Sequence, residues 1–266
     1  MDPRLIRDRE RTNGWIVQVE GIDQSYVDLD DPTYLGFDYV ERIVDIIDLV
    51  YPAPQRITAI HVGGAGMTIP RYLTHTRPTS GQVVFEPDAS LTQAVREVAP
   101  LVRHSGIKVR AQDGRTGIKK LPDHYSDVIV VDAFAGSAVP ADLGTVQWFA
   151  EVARVLTAQG TLIMNLTDLA PFAYSRRVLA GIIDHFTGVV VGAEPSTWKG
   201  RRFGNLVVGA GPLIDPHLLG RTAAGGVFPY RLIYGLELAR WVGKAQPFTD
   251  QDCESSPKAG SPPMFR

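Results

Sequence analysis

At 266 residues with 44% hydrophobic content and a formal net charge of -2, the chain can bury a full core and carries no basic field that would recruit nucleic acid or an anionic membrane. Its single cysteine, Cys253, excludes an internal disulfide, its six histidines show no helical metal-site spacing, and no run approaches the roughly 20 apolar residues of a membrane span. These readings predict one main domain in a reducing, cytoplasmic setting, with no metal, nucleic acid or membrane among its partners.

The chain starts with a charged stretch, Met1 to Thr12, after which Trp15–Glu20 and Ser25–Leu29 read as strands around the turn Gly21-Ile22-Asp23. Residues 1–34 are thus expected to form a charged segment and a β-hairpin flap. Leu35 to Val50 carries apolar residues at a helical period and predicts a buried helix. From there strands and helices alternate. Ile57–Val62, Gln82–Glu86, Ile107–Ala111, Asp127–Val131, Thr161–Asn165, Val189–Ala193 and Asn205–Val208 are the expected strands, and Ser90–Val98, Thr145–Leu156 and Tyr174–Phe186 the expected helices. Alternation with short polar turns predicts an α/β fold with a mostly parallel seven-stranded sheet covered on both faces. Leu232–Val242 reads as a last helix, which closes a domain over residues 35–250, and residues 251–266, rich in Pro, Ser and Gly, read as a disordered tail.

In an open parallel sheet ligands sit beyond the carboxyl ends of the strands, so the residues that follow each strand are the candidates. The first strand of the main sheet runs into Gly63-Gly64-Ala65-Gly66, where glycines allow a tight turn and let the backbone approach a ligand. A plain strand-to-helix turn accounts for such a run equally well. A dinucleotide fingerprint would want glycine at 69, where Ile69 stands, so the loop suits a nucleoside better than a pyrophosphate. Glu86, about 20 residues on, ends the second strand where a carboxylate can accept from both ribose hydroxyls. Asp113-Gly114 follows the third strand and could receive an adenine amino group or form an ordinary turn. Asp132 closes the apolar run Asp127–Val131 and is the best catalytic candidate.

The glycine loop, Glu86-Pro87-Asp88, Asp113-Gly114, the run Tyr125 to Asp132 and the helix entry Leu143 to Phe149 together resemble the spermidine synthase family, aminopropyltransferases built on the Rossmann-like methyltransferase fold. The likeness spans roughly Gln24 to Val208. It implies that S-adenosylmethionine or its decarboxylated form is the co-substrate, with Gln24, Gly63, Gly64, Gly66, Glu86, Asp113 and Gly114 around it. It further implies that Tyr39 and Asp132 hold a small amine substrate and that Asp132 is catalytic. A homodimer is left open. The likeness has departures: Val40 replaces a polar residue between the family's Tyr and Glu, the N-terminal strand region is shorter than the family's, and two acids are missing. Gly66 and Ala135 stand where the family carries aspartates, the second of which binds the distal ammonium of a diamine. Asp28, Asp30 and Asp31 are candidates to replace that charge, and Tyr26, Tyr34 and Tyr39 to line an amine pocket. A solvated acidic edge and core packing explain the same residues. Methyl transfer on this fold and a silent nucleoside-binding module are the alternative functions.

Overall fold

The computed structural model describes residues 3–226 and 228–258 of the chain. The charged start is itself a strand, β1 (Pro3–Arg7), paired antiparallel with β2 (Gly14–Val19), which pairs in turn with β3 (Ile22–Asp28). The expected hairpin is therefore part of a three-stranded sheet. Leu5 alternates with exposed Arg4 and Ile6, a period of two that the surrounding charges conceal. Val17, Val19 and Val27 of this sheet pack on Leu91, Val95 and Ala99.

The rest of the chain runs through α1 (Asp38–Val50), β4 (Thr58–Val62), α2 (Thr68–Thr76), β5 (Gly81–Phe85), α3 (Ala89–Val98), β6 (Ile107–Arg110), α4 (Gly114–Lys119) and β7 (Ser126–Val131). It continues through α5 (Val146–Val155), β8 (Leu156–Asp168), α6 (Ala173–His185), β9 (Val190–Ala193), α7 (Pro195–Trp198), β10 (Gly204–Ala210), α8 (Pro216–Gly225), β11 (Arg231–Tyr234) and α9 (Gly235–Val242). The sheet order is β11-β9-β10-β8-β7-β4-β5-β6. From β8 to β6 all neighbours are parallel, while β10 lies antiparallel to both β8 and β9, and β11 antiparallel to β9.

The α/β methyltransferase-type fold is the one expected, with an eighth strand added. Leu232–Val242 divides at Gly235, whose positive φ of 54° turns the chain from β11 into α9. Helix α2 escaped the periodicity reading because Pro70 sits in its first turn, where a missing N–H breaks no helical bond. Asp88, Asp113, Thr145 and Asp215 cap α3, α4, α5 and α8 by accepting from backbone N–H groups of the first turn.

Two apolar layers cover the sheet. Ile60, Val62, Ile129, Val131 and Met164 face α4, α5, α6 and α9, whereas Ala59, Val128, Val130 and Ile163 face α1, α2 and α8. Residues alternate between the faces, so His61, Asp132 and Asn165 belong on the α1 side.

The expected tail is also corrected in its first half. Residues 251–258 are held in place: Asp252 bonds Arg177, and Ser256 is only 4% exposed. Composition described this stretch, but its polar side chains find partners on the body. Residues 259–266 of the expected tail lie outside the described residues.

Candidate functional site

A cavity of about 260 Å³ opens at the carboxyl ends of β4, β5, β6 and β7, between the main sheet and the N-terminal sheet. Gln24, Tyr39, Gly63, Gly64, Glu86, Asp113, Gly114 and Asp132 all line it. Gly66 does not. A Cβ on Gly66 would lie 2.7 Å from Ser25 Oγ and 2.8 Å from Val27 Cγ2, so its task is to let the N-terminal sheet approach. An aspartate in that place would push β3 away. Gly63 has φ of 91°, and a Cβ there would come within 2.1 Å of the Asp132 carbonyl oxygen, so the glycine turn is pressed against the end of β7.

Glu86 is buried beneath this turn. Its Oε2 accepts from the Gly64 N–H at 3.0 Å and its Oε1 from the Asp88 N–H at 2.9 Å. Burial raises its pKa, and these two N–H groups offset part of the rise. A carboxylate oxygen can accept more than one hydrogen bond, and Glu86 lines the cavity, so the group can still accept hydroxyls. Asp113 is more exposed; its Oδ1 caps α4 at Thr116 N, 2.8 Å away, and that N–H holds its pKa below the usual value.

Asp132 follows β7 and Asp113 follows β6, the two outer strands of the four that end at the cavity. Asn165 Nδ2 donates to its Oδ1 at 2.9 Å and the Tyr39 hydroxyl to its Oδ2 at 3.3 Å. Burial pushes its pKa up to about 6 despite both donors. Tyr39, buried beside this carboxylate, is held well above its ordinary pKa and stays a donor. Asn165 was not singled out from sequence, although a polar residue closing an apolar strand beside β7 was the same signal that marked Asp132.

His61 was also passed over. It lines the cavity and bonds Gln82 Oε1 through Nε2 at 3.0 Å. Gln82 Nε2 donates to Pro70 O and to Thr74 Oγ1, so His61 Nε2 carries the hydrogen. Burial lowers its pKa to about 4 and keeps the ring neutral.

Several candidates fall outside the cavity. Asp28 is paired with Arg11 and accepts from the Asp30 and Asp31 N–H groups, Asp30 bonds Asn13, and Asp31 bonds Thr33. Tyr26 donates to Asp8 and packs edge-on to Tyr34 at 5.3 Å. No group of His, Cys, Asp and Glu among the described residues could hold a metal, and no helix there is long and apolar enough to cross a membrane.

No family model matches the chain. A 119-residue stretch is 29% identical to a polyamine aminopropyltransferase of Vibrio vulnificus (strain CMCP6) and covers 44% of this chain. It spans only 39% of that curated relative's length. The crystal structure of a probable spermidine synthase from Corynebacterium glutamicum ATCC 13032 superposes with a TM-score of 0.85 at 28% identity, over 93% of this chain and 92% of that one. Human methyltransferase-like protein 13 in complex with SAH shares the fold, with a TM-score of 0.59 at 19% identity over 80% of this chain and 96% of that one.

Proposed function

Because the chain is a divergent spermidine synthase-like protein in sequence and fold, we propose that it moves an alkyl group from an adenosyl sulfonium to a small amine, with decarboxylated S-adenosylmethionine as donor. The observation that carries this reading is the Asp132 carboxylate, fixed by Tyr39 and Asn165 in the same cavity as Glu86. The donor supplies an electrophilic carbon on a cationic sulfur, so the protein's task is alignment rather than covalent catalysis. Glu86 takes the ribose hydroxyls, and the outward oxygen of Asp113 takes the adenine amino group. The SAH bound by the human methyltransferase-like protein is consistent with an adenosyl ligand on this fold.

Asp132 holds the acceptor nitrogen and receives its proton. An alkyl amine with pKa near lysine's, about 10.4, costs about 4.6 kcal/mol to deprotonate at pH 7, which a base beside it offsets. The nitrogen lone pair bonds to carbon, the carbon–sulfur pair leaves with sulfur as a neutral thioether, and the nitrogen's proton passes to Asp132.

The decarboxylated donor is favoured by charge. Among the described residues lining the cavity, Arg115 is the only arginine or lysine. It is occupied by Asp142 O, Thr145 Oγ1 and Asp250, so no free cation stands beside Asp132 to pair an α-carboxylate. The acceptor is read as an amine without a second ammonium, since Ala135 replaces the acid that would anchor one. Incubation with labelled decarboxylated S-adenosylmethionine and an amine panel is expected to give labelled product. Transfer from S-adenosylmethionine alone would make the protein a methyltransferase, and tight methylthioadenosine binding without turnover a silent module.

A further inference from the structure

We propose that Ser256 is a positioning residue, through which the chain from Phe248 to Ser256 clamps the acceptor-side wall of the cavity. This rests on the reading of Asp132 as the acceptor's base. The wall is the loop from Ala133 to Pro140, which leaves β7 directly after Asp132. It has little structure of its own: a turn in which Ala135 N donates to Ala138 O at 2.8 Å. Val139, beyond that turn, is fully buried, and its two backbone groups find no partner within the loop.

Ser256 supplies both partners. Its Oγ accepts from Val139 N at 2.9 Å, and its own N–H donates to Val139 O at 3.1 Å. The same hydroxyl lies 3.1 Å from Thr167 Oγ1 on β8 and so ties the loop to the main sheet. From the other side Gln24 Nε2 donates to Gly136 O at 3.0 Å. The wall is therefore held between the N-terminal sheet and the C-terminal segment. That segment is firmly seated: Phe248 is buried and accepts from Val146 N at 2.9 Å, and Asp250 bonds both Thr145 Oγ1 and the cavity residue Arg115.

Replacing Ser256 by alanine removes the acceptor for a buried N–H that water cannot reach, so the wall should loosen. The glycine turn and Glu86 follow β4 and β5 and share no hydrogen bond with Ser256, so the nucleoside end should be unaffected. The test is the full chain carrying Ser256→Ala. Backbone hydrogen exchange at Val139 is expected to speed up by about tenfold or more, and the acceptor KM to rise about tenfold with kcat less changed. Methylthioadenosine affinity should stay within about twofold. Unchanged exchange at Val139, or equal losses at the acceptor and nucleoside ends, would overturn the proposal. If Ser256→Ala does not fold, Thr167→Val, which cuts only the tie to β8, must show the same split in milder form; unaltered exchange and KM there would overturn it too. Exchange and nucleoside binding need no turnover. An unmodified protein inactive with every donor would thus refute the functional reading while leaving the clamp open to its own test.

Discussion

A carboxyl group held near pKa 6 by burial is a usable base at neutral pH, because it is mostly ionised yet retains some affinity for a proton. Asp132 is such a group, and its environment makes two linked expectations. The kcat/KM profile should have an acid limb near pH 6, as protonation removes the charge that holds the amine. Asp132→Asn should collapse turnover while methylthioadenosine affinity barely moves, and equal loss of both would make Asp132 a donor contact instead. The stability sign runs the other way. The folded pKa is raised above the ordinary 3.8, so the group's contribution is fully present below that value and is lost as pH rises through about 6. The Asp132→Asn protein should therefore melt higher than the parent at pH 8, and show no such gain at pH 4, in thermal scans. Asp132 was legible because it ends an apolar strand. Asn165 and His61 break apolar strands in the same way, but their partners Asp132 and Gln82 come from other strands, and that pairing has no trace in local sequence.

Among the elements, the turn after β4 separates two glycines that look alike in sequence. At Gly63 the backbone is left-handed and a Cβ would strike the Asp132 carbonyl, so both conformation and space require glycine. A non-glycine residue held at positive φ costs about 1 to 3 kcal/mol before any clash. Gly63→Ala should lower the melting temperature by several degrees, at about 2 to 4 °C per kcal/mol for a chain of this size, and abolish methylthioadenosine binding. Wild-type melting and binding in that variant would show the turn to be slack. Gly66 faces only the side chains of Ser25 and Val27, and its constraint comes from β3, some 40 residues earlier in the chain. Motif reading counted both as ligand glycines; the docking of the N-terminal sheet distinguishes them. The same limit explains β1 and β11, short strands whose ladder partners, rather than their own composition, make them strands.

For the molecule as a whole, the distribution of acids decides which amine the cavity suits. Asp28, Asp30 and Asp31 are spent on Arg11, Asn13 and the turn after β3, and none reaches the cavity to replace the missing aspartate. The protein is therefore expected to use putrescine weakly with the decarboxylated donor. A charged hydrogen bond to the distal ammonium is worth about 1.5 to 3 kcal/mol, or roughly ten- to 150-fold. Ala135 is exposed on the wall loop and leaves room for a side chain, so Ala135→Asp should raise kcat/KM for putrescine toward that factor. Efficient putrescine turnover by the unmodified protein would overturn this reading of the wall.

What the sequence by itself determined is local: alternating strand and helix periods, glycines after a strand, and single acids at strand ends. Each depends on residues a few positions apart, and these sufficed for an α/β fold with a mostly parallel sheet; with the family resemblance added, they marked seven of the nine proposed site residues that line the cavity on their own strand ends or on α1. Gln24 also lines the cavity, yet its amide nitrogen is bonded to Gly136 O on the wall loop, and Gly66 faces away. Only the tertiary structure decided these two, together with the pairing of Asn165 with Asp132, the seating of Asp250 on Arg115 and the clamp of Ser256 on Val139. The physical reason is common to all of them. A hydrogen bond or a close approach between residues 33 to 135 positions apart is set by how the layers pack, and packing is a property of the whole core rather than of any window of sequence.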